Sequence, residues 1–121
     1  MNLEQFYNLC LSKKGVTESL PFDNNTLVFK IGNKMFALTS LKSWETGEPS
    51  INLKCDPARS LELRATFEDI IEGYHMSKVH WNTIYINKSV NDQTVKSLLN
   101  HSFDLVFSSL SKKIQMEISE L

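Results

Sequence analysis

The sequence predicts an α+β fold in which helices pack on one face of an antiparallel sheet. Two β-rich runs flank Gly32-Asn33, a dipeptide typical of a tight hairpin. Apolar residues near the N-terminus and in the last third of the chain recur at helical spacing. Consecutive strands joined by a hairpin favour an antiparallel sheet, and the helices before and after it then cover one of its faces.

Length, net charge and cysteine content limit the classes of protein to which the chain can belong. At 121 residues it has the usual length of one domain, so residues 1–121 are assigned to a single unit. A net charge of −1 argues against a strongly basic nucleic-acid-binding protein. Cys10 and Cys55 have no metal-ligand spacing, as expected for reduced thiols. Glu4 lies at a position where a secretory signal peptide usually carries basic residues. No apolar run approaches the ~20 residues that are needed to span a bilayer. We therefore expect a cytoplasmic protein without membrane contact.

An amphipathic helix is predicted at the N-terminus. Apolar side chains recur every three or four positions over residues 3–14. Asn2 is suited to be the N-cap, because Gln5 stands in the capping-box position three residues on. Gly15 ends the helix, since glycine readily adopts the left-handed conformation that follows many helices. Residues 15–25 are predicted to form a loop.

A hairpin follows this loop. If Gly32-Asn33 is a two-residue turn, Phe29 pairs with Phe36 and Leu27 pairs with Leu38. Cross-strand partners share a face, so these apolar side chains would form one core surface. The predicted strands are 26–31 and 34–40, the opposite face takes Val28, Lys30, Met35 and Ala37, and residues 42–50 form a polar connection.

The second half of the chain is predicted to add two strands and three helices. Residues 51–55 alternate, with Ile51, Leu53 and Cys55 on the core face. Asp56-Pro57 provides an N-cap and a proline at the first helical position. The helix that they start is predicted over 57–67, with ion pairs between Arg59 and Glu62 and between Arg64 and Glu68. A strand follows at 81–87, with Ile84 and Ile86 facing inward. The last elements are a helix at 92–110, in which Ser102 caps a second segment, and a short helix at 111–121.

No catalytic or metal site is predicted. His75 and His80 have no cysteine or carboxylate pair at useful spacing, so we expect one to bond a loop carbonyl and the other to be exposed. Cys55 alternates with Ile51 and Leu53, so it is expected to be a buried structural residue and not a nucleophile. The chain offers no Ser-His-acid set, phosphate-binding glycine loop or catalytic carboxylate pair. We expect no enzymatic activity and no cofactor.

Lysines and aromatic residues are the candidate binding residues. Strand alternation places most of them on the sheet face away from the core. Such a set can contact phosphates and stack bases. The same pattern is compatible with a solvated face on which lysine stems cover apolar rings, and Trp81 is equally compatible with a place in the core. The candidates are Lys30, Lys54, Lys78, Trp81 and Tyr85.

Several segments together match the pattern of one known family. They are Leu20-Pro21-Phe22, Phe29-Lys30, Lys34-Met35-Phe36-Ala37, Leu53-Lys54-Cys55-Asp56-Pro57, Leu63-Arg64, Ser102 and Asp104-Leu105-Val106. The densest match is the signature Gly73, Tyr74, His75, Met76, Lys78, His80, Trp81, Asn82 and Thr83. With these residues the chain resembles the MmcQ/YjbR family of small bacterial proteins over nearly its whole length. The resemblance implies a frataxin-like α+β fold and a DNA-binding function.

Three functions follow as expectations. The resemblance implies a small non-enzymatic cytoplasmic domain, expected to be a monomer, that binds DNA weakly. A protein-interaction or regulatory module could use the same aromatic face. A small-molecule or nucleotide-binding protein could hold its ligand around Tyr74, His75 and His80, and a deep pocket beside His75 would favour this last function.

Overall fold

The computed structural model describes all 121 residues, and six of its segments are strands. They are β1 (Thr17–Ser19), β2 (Thr26–Ile31), β3 (Lys34–Ser40), β4 (Ser50–Lys54), β5 (Ile70–Glu72) and β6 (Trp81–Tyr85). The strands form one sheet in the order β1-β2-β3-β4-β6-β5, and every neighbouring pair is antiparallel. This is the α+β class that the sequence predicts.

Five helices accompany the sheet and pack mainly on one of its faces. They are α1 (Leu3–Leu11), α2 (Leu41–Glu45), α3 (Pro57–Thr66), α4 (Asp92–Ser109) and α5 (Lys112–Ser119). Phe6 of α1, Val95 of α4 and Ile118 of α5 lie in one buried cluster with Phe29 and Ile84 of the sheet. None of the helices combines the length and the apolar character that crossing a membrane requires.

Local capping explains where the principal helices begin. The predicted capping box of α1 is present, with Asn2 accepting from the Gln5 N–H at 2.8 Å. Asp56 caps α3 by accepting from the Arg59 N–H at 3.1 Å, and Pro57 is its first residue. Helix α1 ends three residues earlier than predicted, and Ser12 is its C-cap, with its N–H donating to the Asn8 carbonyl at 2.9 Å and its hydroxyl to the Leu9 carbonyl at 2.7 Å.

Three short elements were not predicted. Strand β1 lies within residues 15–25, and all three of its residues are exposed, so it has no apolar alternation to detect. Helix α2 begins at Leu41 and lies mostly within residues 42–50, and it is held from a distance by Asn25, whose side chain accepts from the Lys42 N–H at 2.8 Å. Strand β5 follows α3 and pairs only with β6. Each depends on partners that are distant in sequence.

A β-bulge in the hairpin corrects the predicted pairing. Near the turn the register is as predicted, with Lys30 opposite Met35, but Phe29 then lies opposite Ala37 instead of Phe36. The extra residue reverses the alternation along β3. Phe36 and Ala37 therefore both join the main core, while Leu38 moves to the opposite face.

Ser102 is not a helix cap. Helix α4 runs through it without interruption, and its side chain is fully buried. The Ser102 hydroxyl donates to the Phe36 carbonyl at 2.6 Å and accepts from the Lys54 N–H at 2.9 Å. Continuing the β3–β4 register beyond Ala37 and Leu53 would put Phe36 opposite Lys54. The serine thus bridges the two backbone groups that the bulge holds apart.

The remaining differences concern element ends and ion pairs. Strand β6 ends at Tyr85, two residues earlier than predicted, and Asn87 adopts a φ of 63° as the chain turns away. The predicted pairs of Arg59 with Glu62 and of Arg64 with Glu68 do not form. Arg64 instead turns toward the segment that precedes β6, where it shapes the candidate site.

Candidate ligand-binding site

The sheet face away from the helices carries a second, smaller apolar cluster. Strand pairing sets Lys54 opposite Trp81 and Asn52 opposite Thr83 on this face. Val28, Leu38 and Trp81 form a buried cluster here, against which Met35 and Met76 pack. This open face, as we call it, is therefore partly covered, and the cover comes from the loop between β5 and β6.

The five predicted binding residues do not form one cluster. Lys30, Lys54, Trp81 and Tyr85 share the open face, as alternation predicts, but Trp81 is only 8% exposed and belongs to the apolar cluster. Tyr85 lies four residues from Trp81 along β6, about 13 Å at the usual rise of a strand. Lys78 lies in the loop, with its Nζ 3.6 Å from Glu72 Oε2, so part of its charge is neutralised.

The loop, residues 73–80, begins with a close backbone approach. The Gly73 N–H donates to the Trp81 carbonyl at 2.9 Å, and a Cβ added to Gly73 would lie 2.8 Å from Trp81 Cβ. Glycine is therefore required for the two segments to come this close. The next residue, Tyr74, donates its N–H to Thr83 Oγ1 at 3.1 Å. The start of the loop is thus fixed to β6.

Arg64 fixes the end of the loop to α3. Its Nε donates to Asn82 Oδ1 at 2.8 Å, and its Nη2 donates to the Trp81 carbonyl at 3.1 Å and to the Lys78 carbonyl. Asn82 is buried and donates in turn to Ser60 Oγ at 3.2 Å. One guanidinium thus satisfies two backbone carbonyls and a buried amide, which gives Arg64 a role in positioning the loop.

The two histidines of the loop differ in position. His75 adopts a φ of 58°, in the left-handed region that few non-glycine residues occupy, and its ring centroid lies 4.0 Å from that of Tyr74. His80 is exposed, and only its backbone carbonyl is used, by the Cys55 N–H at 2.9 Å. Neither imidazole has a hydrogen-bond partner, so the prediction that one bonds a loop carbonyl is wrong.

A groove of about 490 Å³ lies between the loop and the open face. It is lined by 14 residues, none of which is Lys, Arg, Asp or Glu. Apolar and aromatic surface comes from Phe22, Met35, Tyr74, Met76 and Tyr85, with His75 at the edge of the loop. His80, which the sequence analysis placed with Tyr74 and His75, does not line it.

Several groove residues were not singled out from the sequence. Asn52 alternates with Lys54, so the period of the strand already placed it on the open face. Phe22 follows Leu20-Pro21 in a segment of the family pattern, and it is 65% exposed, which no periodicity indicates. Leu38 was assigned to the core, and only the bulge places it in the groove.

Comparisons with known proteins identify chains of similar sequence. The sequence model of the YjbR family matches residues 11–105, a range that contains all six strands and the loop. YbdF of Escherichia coli O157:H7 is 39% identical over 98 residues, which are 81% of this chain and 78% of YbdF. YjbR of Escherichia coli K12 is 26% identical over 113 residues, 93% of each chain.

Two crystal structures resemble the fold closely. A DUF419 domain from Deinococcus radiodurans has a TM-score of 0.90 at 31% identity, over 98% of this chain and 88% of that one. A protein from Pseudomonas syringae has a TM-score of 0.74 at 27% identity, over 88% of this chain and 99% of that one. The likeness to frataxin stays a prediction.

Proposed function

The chain belongs to the YjbR family, and from that premise we propose that it is a non-enzymatic binding domain whose ligand is a small molecule held on the open face. The groove beside His75 carries the proposal. Small-molecule sites are commonly concave and about 300–1,000 Å³ in volume, and the groove falls in this range, with 6 hydrophobic residues among the 14 that line it. A pocket at this position is also the feature that distinguishes this function from its alternatives.

The experiment is a fragment titration followed by the backbone amides of the groove. A library of neutral, cationic and anionic fragments is added to ¹⁵N-labelled protein, and the expected shifts cluster at Met35, Asn52 and Thr83. Met76→Trp should reduce these shifts, because the larger ring fills the groove that Met76 lines. Met116→Trp is the matched control, since Met116 is 63% exposed on α5 and distant from the groove. The proposal would be refuted if Met76→Trp left the shifts unchanged, or if the shifts clustered outside the groove.

DNA binding is the second candidate function. It is supported by the family resemblance and by Lys30 and Lys54, which extend from the open face beside the apolar cluster. Glu72 neutralises part of the third lysine's charge, and the buried Trp81 offers little surface for base stacking. We therefore expect few phosphate contacts, about three, and non-specific affinity with a Kd of roughly 10⁻⁴–10⁻⁶ M.

A salt titration of affinity for duplex DNA tests this candidate. Each phosphate contact contributes about −0.9 to the slope of log K against log salt. Lys78→Ala should weaken all sequences alike and make the slope shallower by about one unit. Lys112→Ala, on exposed helix α5, is the control for the loss of one positive charge. If the wild type did not bind at low salt, or if Lys78→Ala left the slope unchanged, the lysines would be excluded as a DNA-binding site. The groove would then remain as the candidate site.

The proposed cellular state is a monomer in the cytoplasm. Both cysteines, Cys10 and Cys55, are free and buried, as suits a reducing compartment. Burial raises the pKa of the Cys10 thiol well above its usual range, which makes it unreactive. The cysteines are therefore proposed to pack the core and to take no part in ligand binding.

A further inference from the structure

We infer that the groove takes a flat, uncharged ring system bearing hydrogen-bond acceptors, and that Asn52 determines this specificity. The inference rests on the proposed function, because it names the ligand class of the same site. Three features of the groove lead to it: the absence of Lys, Arg, Asp and Glu side chains, the unpaired amide donors of Asn52, and the aromatic walls.

The lining selects against ions. No lysine, arginine, aspartate or glutamate lies among the 14 lining residues, and the one imidazole, that of His75, lies at the edge of the loop, so an ionised ring in the groove would lose hydration without gaining the opposite charge of such a side chain. The lysines of the open face lie outside this lining. A neutral ligand avoids the desolvation cost, and the groove should therefore prefer neutral rings to ionised rings of the same size.

Two polar side chains at the strand end of the groove are already used within the protein. Asn25 accepts from the Lys42 N–H at 2.8 Å and donates to Ser40 Oγ at 2.9 Å. Thr39 donates to the Ser50 carbonyl at 2.7 Å and accepts from the Trp44 indole. These side chains have little hydrogen-bonding capacity left for a ligand, so they shape the groove and do not determine which ligand it binds.

Asn52 is different, because its amide nitrogen has no protein partner. The Tyr74 N–H donates to Thr83 Oγ1 at 3.1 Å, and the Thr83 hydroxyl is then free to donate to Asn52 Oδ1, at 2.5 Å. This relay fixes the orientation of the amide and leaves both hydrogens of Nδ2 available. Asn52 is half-buried in the central strand β4. A ligand that fills the groove must offer an acceptor to satisfy these donors.

The walls favour a flat ring. The Tyr74 and His75 rings lie 4.0 Å apart at the loop, and Phe22 and Tyr85 add two further aromatic side chains to the lining. Aromatic faces and edges bind planar rings by stacking and edge contacts. Met35 and Met76 contribute flexible thioethers, which adapt to irregular ligand outlines.

The test compares neutral and ionised rings of similar size. Thymine is paired with orotate, and caffeine with urate, in titrations of ¹⁵N-labelled protein at neutral pH. The neutral member of each pair should shift the amides of Met35, Asn52 and Thr83, with an affinity roughly tenfold or more above that of its anion. Stronger binding of the anions would overturn the inferred ligand class while leaving the groove as the site. If no member of the fragment library shifts these amides, the proposed function fails as well.

Two variants test the role of Asn52 itself. Asn52→Asp keeps the acceptor for Thr83 but replaces the amide donors by a carboxylate oxygen, so binding of thymine and caffeine should weaken roughly tenfold to a hundredfold. Asn8→Asp makes the same charge change on the exposed side of α1 and should leave binding unchanged. Asn52→Ser replaces the two amide donors by the single hydroxyl of a shorter side chain without adding charge, and it should also weaken binding. If the folded Asn52→Ser variant bound thymine and caffeine with wild-type affinity, Asn52 would not determine the ligand specificity.

Discussion

Replacing Arg64 by methionine should destabilise the protein and loosen the loop over residues 73–80. Methionine keeps a long side chain and a good helical propensity at this position of α3. It removes the three hydrogen bonds that the guanidinium makes to Asn82 Oδ1 and to the carbonyls of Lys78 and Trp81. The substitution therefore separates the connection to the loop from the formation of the helix.

The magnitude follows from where each acceptor lies. Asn82 is 2% exposed, so its Oδ1 would be left buried and unpaired at a cost of about 1–3 kcal/mol. The Trp81 carbonyl still accepts from the Gly73 N–H, and the Lys78 carbonyl lies in an exposed turn that water can reach. These two bonds contribute about 0.5–1.5 kcal/mol each. The free energy of unfolding should thus fall by about 2–6 kcal/mol.

Two measurements check this prediction. Urea unfolding gives the change in free energy, and amide hydrogen exchange gives the local opening. In Arg64→Met the Gly73 and Trp81 amides should lose more protection than amides of strands β2 and β3. Arg59→Met is the matched control on the same helix, since the Arg59 side chain makes no hydrogen bond or ion pair. Equal losses of stability in both variants, or unchanged protection at Gly73, would refute the positioning role.

Two further predictions concern the core and the acid side of the stability profile. Ser102→Ala leaves the two backbone groups at the bulge unpaired, so the free energy of unfolding in urea should fall by about 2–4 kcal/mol. Ser108→Ala, at an exposed position of the same helix, is the control and should change it little. Similar losses of stability in both variants would contradict the bridging role. Burial lowers the pKa of His101, whose Nε2 accepts from the Asp56 N–H at 3.1 Å. The unfolded state therefore binds this proton more readily, so stability is complete above pH ~6.5 and falls as the pH drops below that value. His101→Gln should remove this part of the pH dependence, and an unchanged profile would assign it to other groups.

Local chemistry in the sequence was sufficient to predict much of the framework. The Asn2 capping box and the Asp56-Pro57 start of α3 act between neighbouring residues, so both were predicted correctly. The hairpin bounds and the core face of β4 follow from the turn dipeptide and from the two-residue period of a strand. The same period placed Lys54 and Tyr85 on the open face.

Tertiary contacts decided the rest, including nearly all of the groove. The bulge that moves Leu38 to the open face depends on Ser102, 66 residues after Phe36, which replaces the missing ladder contact. Residues 73–80 have no periodicity of their own, and their path is set by Arg64 on α3 and by β6. Asn52 becomes a free donor only because Thr83, on another strand, holds its carbonyl oxygen. The sequence determined the principal elements because capping and alternation act over a few residues, whereas the three short elements and the groove required contacts between distant segments that no local pattern encodes.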